Sequence, residues 1–151
     1  MPKAKRTKIK GNAAAASDSD SGAAPDARFQ RGLARLTEIH GDYGRQVLAS
    51  LDGVAPDLKQ WVIAFAFGDI YTRPGLDLRS RQLVTLAALV TQGHGGSELK
   101  AHLRGALNVG LSRQEILEAI MQLAVYAGFP AAIHGAVAAG EVFAELDAEA
   151  A

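Results

Sequence analysis

Apolar residues recur three and four positions apart along this chain, and no stretch alternates apolar with polar as a half-buried strand does, so helices packed on helices are the expected solution. Phe29, Leu33, Leu36 and Ile39 mark a first amphipathic helix that Gly41 is expected to end, with a short helix following over Arg45–Leu51. Pro56 then suits a first helical turn, and LKQWVIAFAF reads as the mostly buried helix that continues from it. Pro74 and Gly75 make a turn, and Asp77 is placed to cap a helix over Leu78–Gln92. The middle of that helix, LVTLAALV, is apolar nearly all round and so reads as internal. Ser97 is the expected cap of a helix running to Asn108, with Gly110 just past its end. Ser112 and Glu115 have the spacing of a capping box for a helix reaching Tyr126. Gly128 stops it, and Pro130 opens a last helix that ends near Glu145. The fold class is therefore all-α, with about seven helices.

Composition divides the chain unevenly. Residues 1–27 open with MPKAKRTKIK, five basic residues in ten, and continue in Ala, Ser, Asp and Gly; they contain nothing apolar enough to offset the entropy of ordering. They are expected to form a disordered tail, with 28–151 as one helical domain. A basic arm can bind phosphates, and a variable tail without function has the same composition. The 16 basic and 16 acidic residues balance overall, so with the basic run set aside the folded part is mildly acidic, which argues against a nucleic-acid-binding fold. The chain has no cysteine, which removes disulfides, thiolate catalysis and cysteine-ligated metals together. No apolar run reaches the length of a membrane span, and a cytoplasmic protein is the expectation.

Several side chains are candidates for chemistry. Glu98 and His102 stand one helical turn apart on a face beside the apolar stripe of Leu99, Leu103, Ala106 and Leu107. A histidine at such a border exchanges protons near neutral pH, and a carboxylate one turn back can orient it or raise its pKa. The same spacing also describes a surface ion pair. Arg81 enters the most apolar helix with Thr85 one turn on, suited to clamp a substrate carboxylate or to form a structural ion pair. Arg104 points to a different side from His102, toward solvent or a neighbouring subunit. Tyr126 either places its hydroxyl in a cleft or packs in the core. His40, His94, His102 and His134 are scattered with no metal-ligand spacing among them, so no metal is expected. The small residues Ala131, Gly135, Ala138 and Ala139 let the last helix approach another closely, within the chain or across a subunit contact.

Three segments taken in order carry a resemblance: FAFGDIYTRPGLDLRSRQLVTLAAL, HLRGALNVGLSRQEI and AVYAGFPAA. Together they strongly resemble the carboxymuconolactone decarboxylase family, over roughly Asp57 to Phe143. The resemblance implies an alkylhydroperoxidase D-like fold of small helical subunits in trimers or hexamers, with sites near subunit contacts. It implies cofactor-free conversion of 4-carboxymuconolactone, an intermediate of protocatechuate breakdown, to 3-oxoadipate enol-lactone and carbon dioxide. On that reading Arg81 grips a carboxylate, His102 delivers the proton or stabilises the dienolate, and Glu98 orients His102. Arg104, Tyr126 and Thr85 are the candidate substrate contacts. The alkylhydroperoxidase D branch reduces disulfides through a CxxC motif ahead of a histidine. This chain has Gly95 and Glu98 where those cysteines would fall, so thiol peroxidase chemistry is excluded. The loop QGHGGSELKAH and the segment FPAAIHGAVAAGEVF depart from the dedicated decarboxylases. Proton-transfer isomerisation of another small carbonyl compound, or a non-catalytic oligomeric binding protein, stand as alternatives.

Overall fold

A computed structural model describes residues 26–151, and the expected tail lies outside the described residues apart from its last two positions, Asp26 and Ala27, the cap and the first residue of the first helix. Every regular element among the described residues is helical. α1 spans Ala27–Ala49, capped by the Asp26 carboxylate, which accepts from the Arg28 N–H at 3.1 Å. Gly41, expected to end this helix, instead kinks it at φ 57°, ψ −145°. Left-handed backbone is open to glycine, so the axis changes direction and the chain resumes helix without a loop. The two helices expected there are thus one, and the α-helices number six among the described residues.

α2, Pro56–Trp61, runs directly into a π-helical segment, Val62–Ile70. The segment closes with the Tyr71 N–H donating to the Ala66 carbonyl five residues back at 2.9 Å. LKQWVIAFAF is less buried than its apolarity suggested: Ile63 and Phe67 face the core, whereas Trp61 and Phe65 are 65% and 57% exposed. α3 spans Leu78–Thr91 and is capped by Asp77, whose carboxylate accepts from the Ser80 N–H at 2.9 Å. It too is one-sided, with Leu86, Leu89 and Val90 buried and Val84 outside. α4 is Ser97–Asn108. Gly96 rather than Ser97 occupies the cap position, and no side chain caps that end. α5, Arg113–Ala127, has the Ser112/Glu115 capping box complete, and α6 runs from Phe129 to Glu149, a turn beyond the expected end.

Two apolar clusters hold these helices. The larger joins α3, α4, α5 and α6 through residues such as Leu86, Leu103, Ile116, Ile120 and Val142. The smaller joins α1 to the π segment through Leu36, Ile39, Ile63 and Phe67. α4 lies between them: Leu99, Leu103 and Ala106 face the larger cluster, and α1, which carries Leu36 and Ile39 of the smaller one, packs against α4 as well. The Asn108 side-chain amide fastens that second contact, donating to the Ile39 carbonyl at 3.1 Å. The seam between the clusters, along α4, is where the fold leaves room for a site.

Candidate active site

A cavity of about 350 Å³ opens on the seam, walled by Leu36, Val47, Leu48, Val62 and Phe67, with Leu58 beside it. Its titratable side chains are His40, Glu98 and His102. α1 brings His40, and α4 brings Glu98 and His102 from one face, as their four-residue spacing dictates.

The two imidazoles meet edge to face, with ring centroids 4.8 Å apart and planes at 85°. Phe67 stacks edge-on against His40 from the other side at 5.6 Å. The His40 ring fits because α4 carries Gly105 beneath it and α1 carries Gly44 beside it. A Cβ at Gly105 would lie 2.6 Å from His40 Nδ1, and one at Gly44 would lie 2.4 Å from His40 Cβ. His40 Nδ1 is 3.0 Å from the Ala101 carbonyl oxygen, and His102 Nδ1 is 3.1 Å from Gln82 Oε1. Burial pushes His40 down to about 4, with the Ala101 carbonyl opposing it. Burial also pushes His102 down to about 3, and the neighbouring His40 adds to the effect. Both rings are therefore neutral at pH 7, each able to accept or donate one hydrogen bond.

Glu98 shares the wall with His102, but the partner at His102 Nδ1 is Gln82. Arg81 does not face His102. Its guanidinium donates to the Arg73 and Leu76 carbonyls at 2.9 and 3.1 Å, tying down the turn before α3, and lies over the Tyr71 ring. Thr85 is bonded to the Tyr71 hydroxyl at 2.6 Å and to the Arg81 carbonyl at 2.9 Å. Arg104 reaches α6, where it pairs with Glu145 and Glu149 at 2.9 and 2.8 Å, with its guanidinium over the Tyr43 ring. Tyr126 is 80% exposed at the far end of α5. Within one chain, then, the structure gathers His102 and Glu98 at the cavity and holds Arg81, Thr85, Arg104 and Tyr126 away from its walls.

Sequence reasoning missed His40 and Gln82. Both carried a signal: His40 is four residues past Leu36, and Gln82 lies midway between Leu78 and Leu86, so each is a polar side chain set on a buried helical stripe.

The sequence profile of the Carboxymuconolactone decarboxylase family matches residues 56–141, more than half of the chain. The chain belongs to that family. The 4-carboxymuconolactone decarboxylase of Acinetobacter baylyi is 36% identical over 120 residues, which cover 79% of this chain and 89% of that one. The nitrosuccinic acid decarboxylase of Metarhizium robertsii is 32% identical over 110 residues, 72% of this chain and 76% of its own. Gln82, Glu98 and His102 fall inside the family match, whereas His40 and all of α1 precede it. No helix among the described residues is long and apolar enough to cross a membrane.

Proposed function

We propose that this protein is a decarboxylase of a small carboxylated substrate, with 4-carboxymuconolactone the foremost candidate and 3-oxoadipate enol-lactone and carbon dioxide the products. The observation that carries the reading is the pair of neutral imidazoles, with Glu98 beside them, at a cavity whose other walls are mostly apolar, in a chain related over most of its length to two proteins named as decarboxylases.

The chemistry suits those walls. A carboxylate concentrates its charge, and an apolar enclosure solvates it poorly. The transition state spreads that charge into the departing carbon dioxide and the lactone ring, so the enclosure penalises the transition state less than the bound substrate. As the carbon–carboxylate bond breaks, its electron pair moves through the ring double bond to the lactone carbonyl oxygen. An imidazole N–H there stabilises the oxyanion, and a proton then returns to carbon as the pair moves back. His40, Glu98 and His102 supply acid–base groups for each step, so the reading calls on no cofactor.

One requirement is unmet among the described residues, because no arginine or lysine of theirs lines the cavity to hold a second carboxylate. We assign that cation to another copy of the chain, in a homo-oligomer of trimeric or hexameric form. Apolar side chains left outside support this. Trp61 and Phe65 form a pair one turn apart near the cavity-lining Leu58, and Phe129, Ile133 and Val137 form a stripe along α6, each more than half exposed.

The test is trapped carbon dioxide from a panel of carboxylated lactones and substituted succinates, nitrosuccinate among them. Release from one of these supports the reading. Proton exchange or isomerisation without gas release moves the assignment to a carbonyl isomerase.

A further inference from the structure

We propose that His40 and His102 are a polarised imidazole pair, in which Gln82 holds His102 as a hydrogen-bond donor toward the cavity and the Ala101 carbonyl holds His40 as a proton acceptor, so that His102 binds the developing oxyanion and His40 delivers the proton the reaction consumes. This rests on the decarboxylase reading and divides duties within it.

Hydrogen bonding fixes the polarity of each ring. A backbone carbonyl can only accept, so the 3.0 Å contact with Ala101 places the His40 proton on Nδ1 and leaves a lone pair on Nε2. His102 is controlled by a side chain with two faces. Gln82 is fully buried, and its amide nitrogen has no partner among the described residues. With its oxygen toward His102, both amide N–H groups go unpaired in the core. A half-turn of the amide directs one of them at His102 Nδ1, so that one N–H and the carbonyl oxygen go unpaired in place of two N–H groups, which buried structure tolerates better. Nδ1 of His102 then accepts, and its proton sits on Nε2.

Both Nε2 atoms are available to a ligand. Neither has a hydrogen-bond partner among the described residues, and neither is a buried unpaired atom, so each touches open space where the two rings line the cavity. The edge-to-face arrangement aims the rings differently, as two separate tasks require. His40 lies before the family match, so the second ring is contributed by a helix that the family profile does not include.

The proton balance closes. His40 takes a proton from the buffered solvent, released there by a buffer acid, at Nε2 as the anionic substrate enters, since a carboxylate alongside favours the imidazolium. The carboxylate leaves as carbon dioxide, its bonding pair reaches the lactone oxygen, and the His102 N–H bonds that oxygen without losing its proton. The pair returns to carbon with the proton from His40, which ends neutral. One proton is consumed for each carbon dioxide released.

The test is nitrogen-15 imidazole NMR on the full chain near neutral pH, with the signals assigned by His40→Gln and His102→Gln. The expected result is His102 protonated on Nε2 and His40 protonated on Nδ1; the same tautomer at both rings overturns the pair. Gln82→Glu, whose carboxylate only accepts, should move the His102 proton to Nδ1 and leave His40 as it was. An unmoved His102 signal in that folded variant overturns the part given to Gln82. With a turned-over substrate, His40→Gln should release carbon dioxide at least about 100-fold more slowly, and an undiminished rate overturns its role as proton donor. The tautomers need no substrate, so a wrong substrate class and a wrong pair give separate failures.

Discussion

His40 and Gly105 are bound by space: the imidazole abuts a stretch of α4 that has room for it only because residue 105 has no side chain, a Cβ there falling 2.6 Å from Nδ1. The hydrogen bond to the Ala101 carbonyl, one turn earlier on α4, and the edge contact with His102 both depend on that seat.

Gly105→Ala therefore displaces His40. Alanine gains about 1 kcal/mol in helix propensity, yet overpacking costs about 1–3 kcal/mol, so urea denaturation should show a net loss of stability along with loss of activity. A variant more stable than wild type would mean that His40 is not seated there.

The histidines also set an acid limit on folding. Their folded-state values, about 4 for His40 and about 3 for His102, lie below the ordinary 6.5. Below pH 6.5 the unfolded chain takes up protons that the folded chain refuses. Stability is accordingly unaffected by them above that point and falls as the pH drops through the window, by up to about 1.4 kcal/mol per pH unit for each ring. Chemical denaturation between pH 7 and about 5, before most carboxylates protonate, should show this slope. It should flatten in a His40→Gln/His102→Gln double variant; an unchanged slope would place the acid sensitivity elsewhere.

How much of this was legible follows from which forces are local. Asp77, the Ser112/Glu115 box and the Gly128–Pro130 break act within a turn of helix, and the structure has all of them where the spacing put them. Gly41 was ambiguous for a physical reason: the positive-φ backbone that ends a helix also kinks one, and here the helix resumes past it and carries Leu48 onto the smaller cluster. Glu98 and His102 were visible because one helix carries both. His40 and Gln82 were not, since their importance comes from α1, α3 and α4 meeting, and a polar residue on a buried stripe does not say what it faces. Arg81 shows the converse: its position suggested a substrate clamp, but carbonyls in the turn just before it take up its guanidinium.

Arg81→Met should therefore act first on stability. Loss of two charge-assisted bonds to backbone carbonyls at a half-buried site costs about 1–3 kcal/mol, read as a lower urea midpoint. A weakened substrate affinity with an unchanged midpoint would instead return Arg81 to the site.

The exposed aromatic pair gives a test of assembly. Trp61→Glu places a charge on the face assigned to a second copy, so light scattering should report a smaller particle whose circular dichroism remains helical. Wild-type mass in that variant would remove this face from any subunit contact.

The central claim is that the His40–His102 cavity decarboxylates a small carboxylated substrate. The most direct test is carbon dioxide release from 4-carboxymuconolactone by the wild type beside His102→Ala, both shown to be folded. The account predicts release by the wild type and a loss of about 100-fold or more in kcat/KM in the variant. Equal release by the two proteins would contradict it.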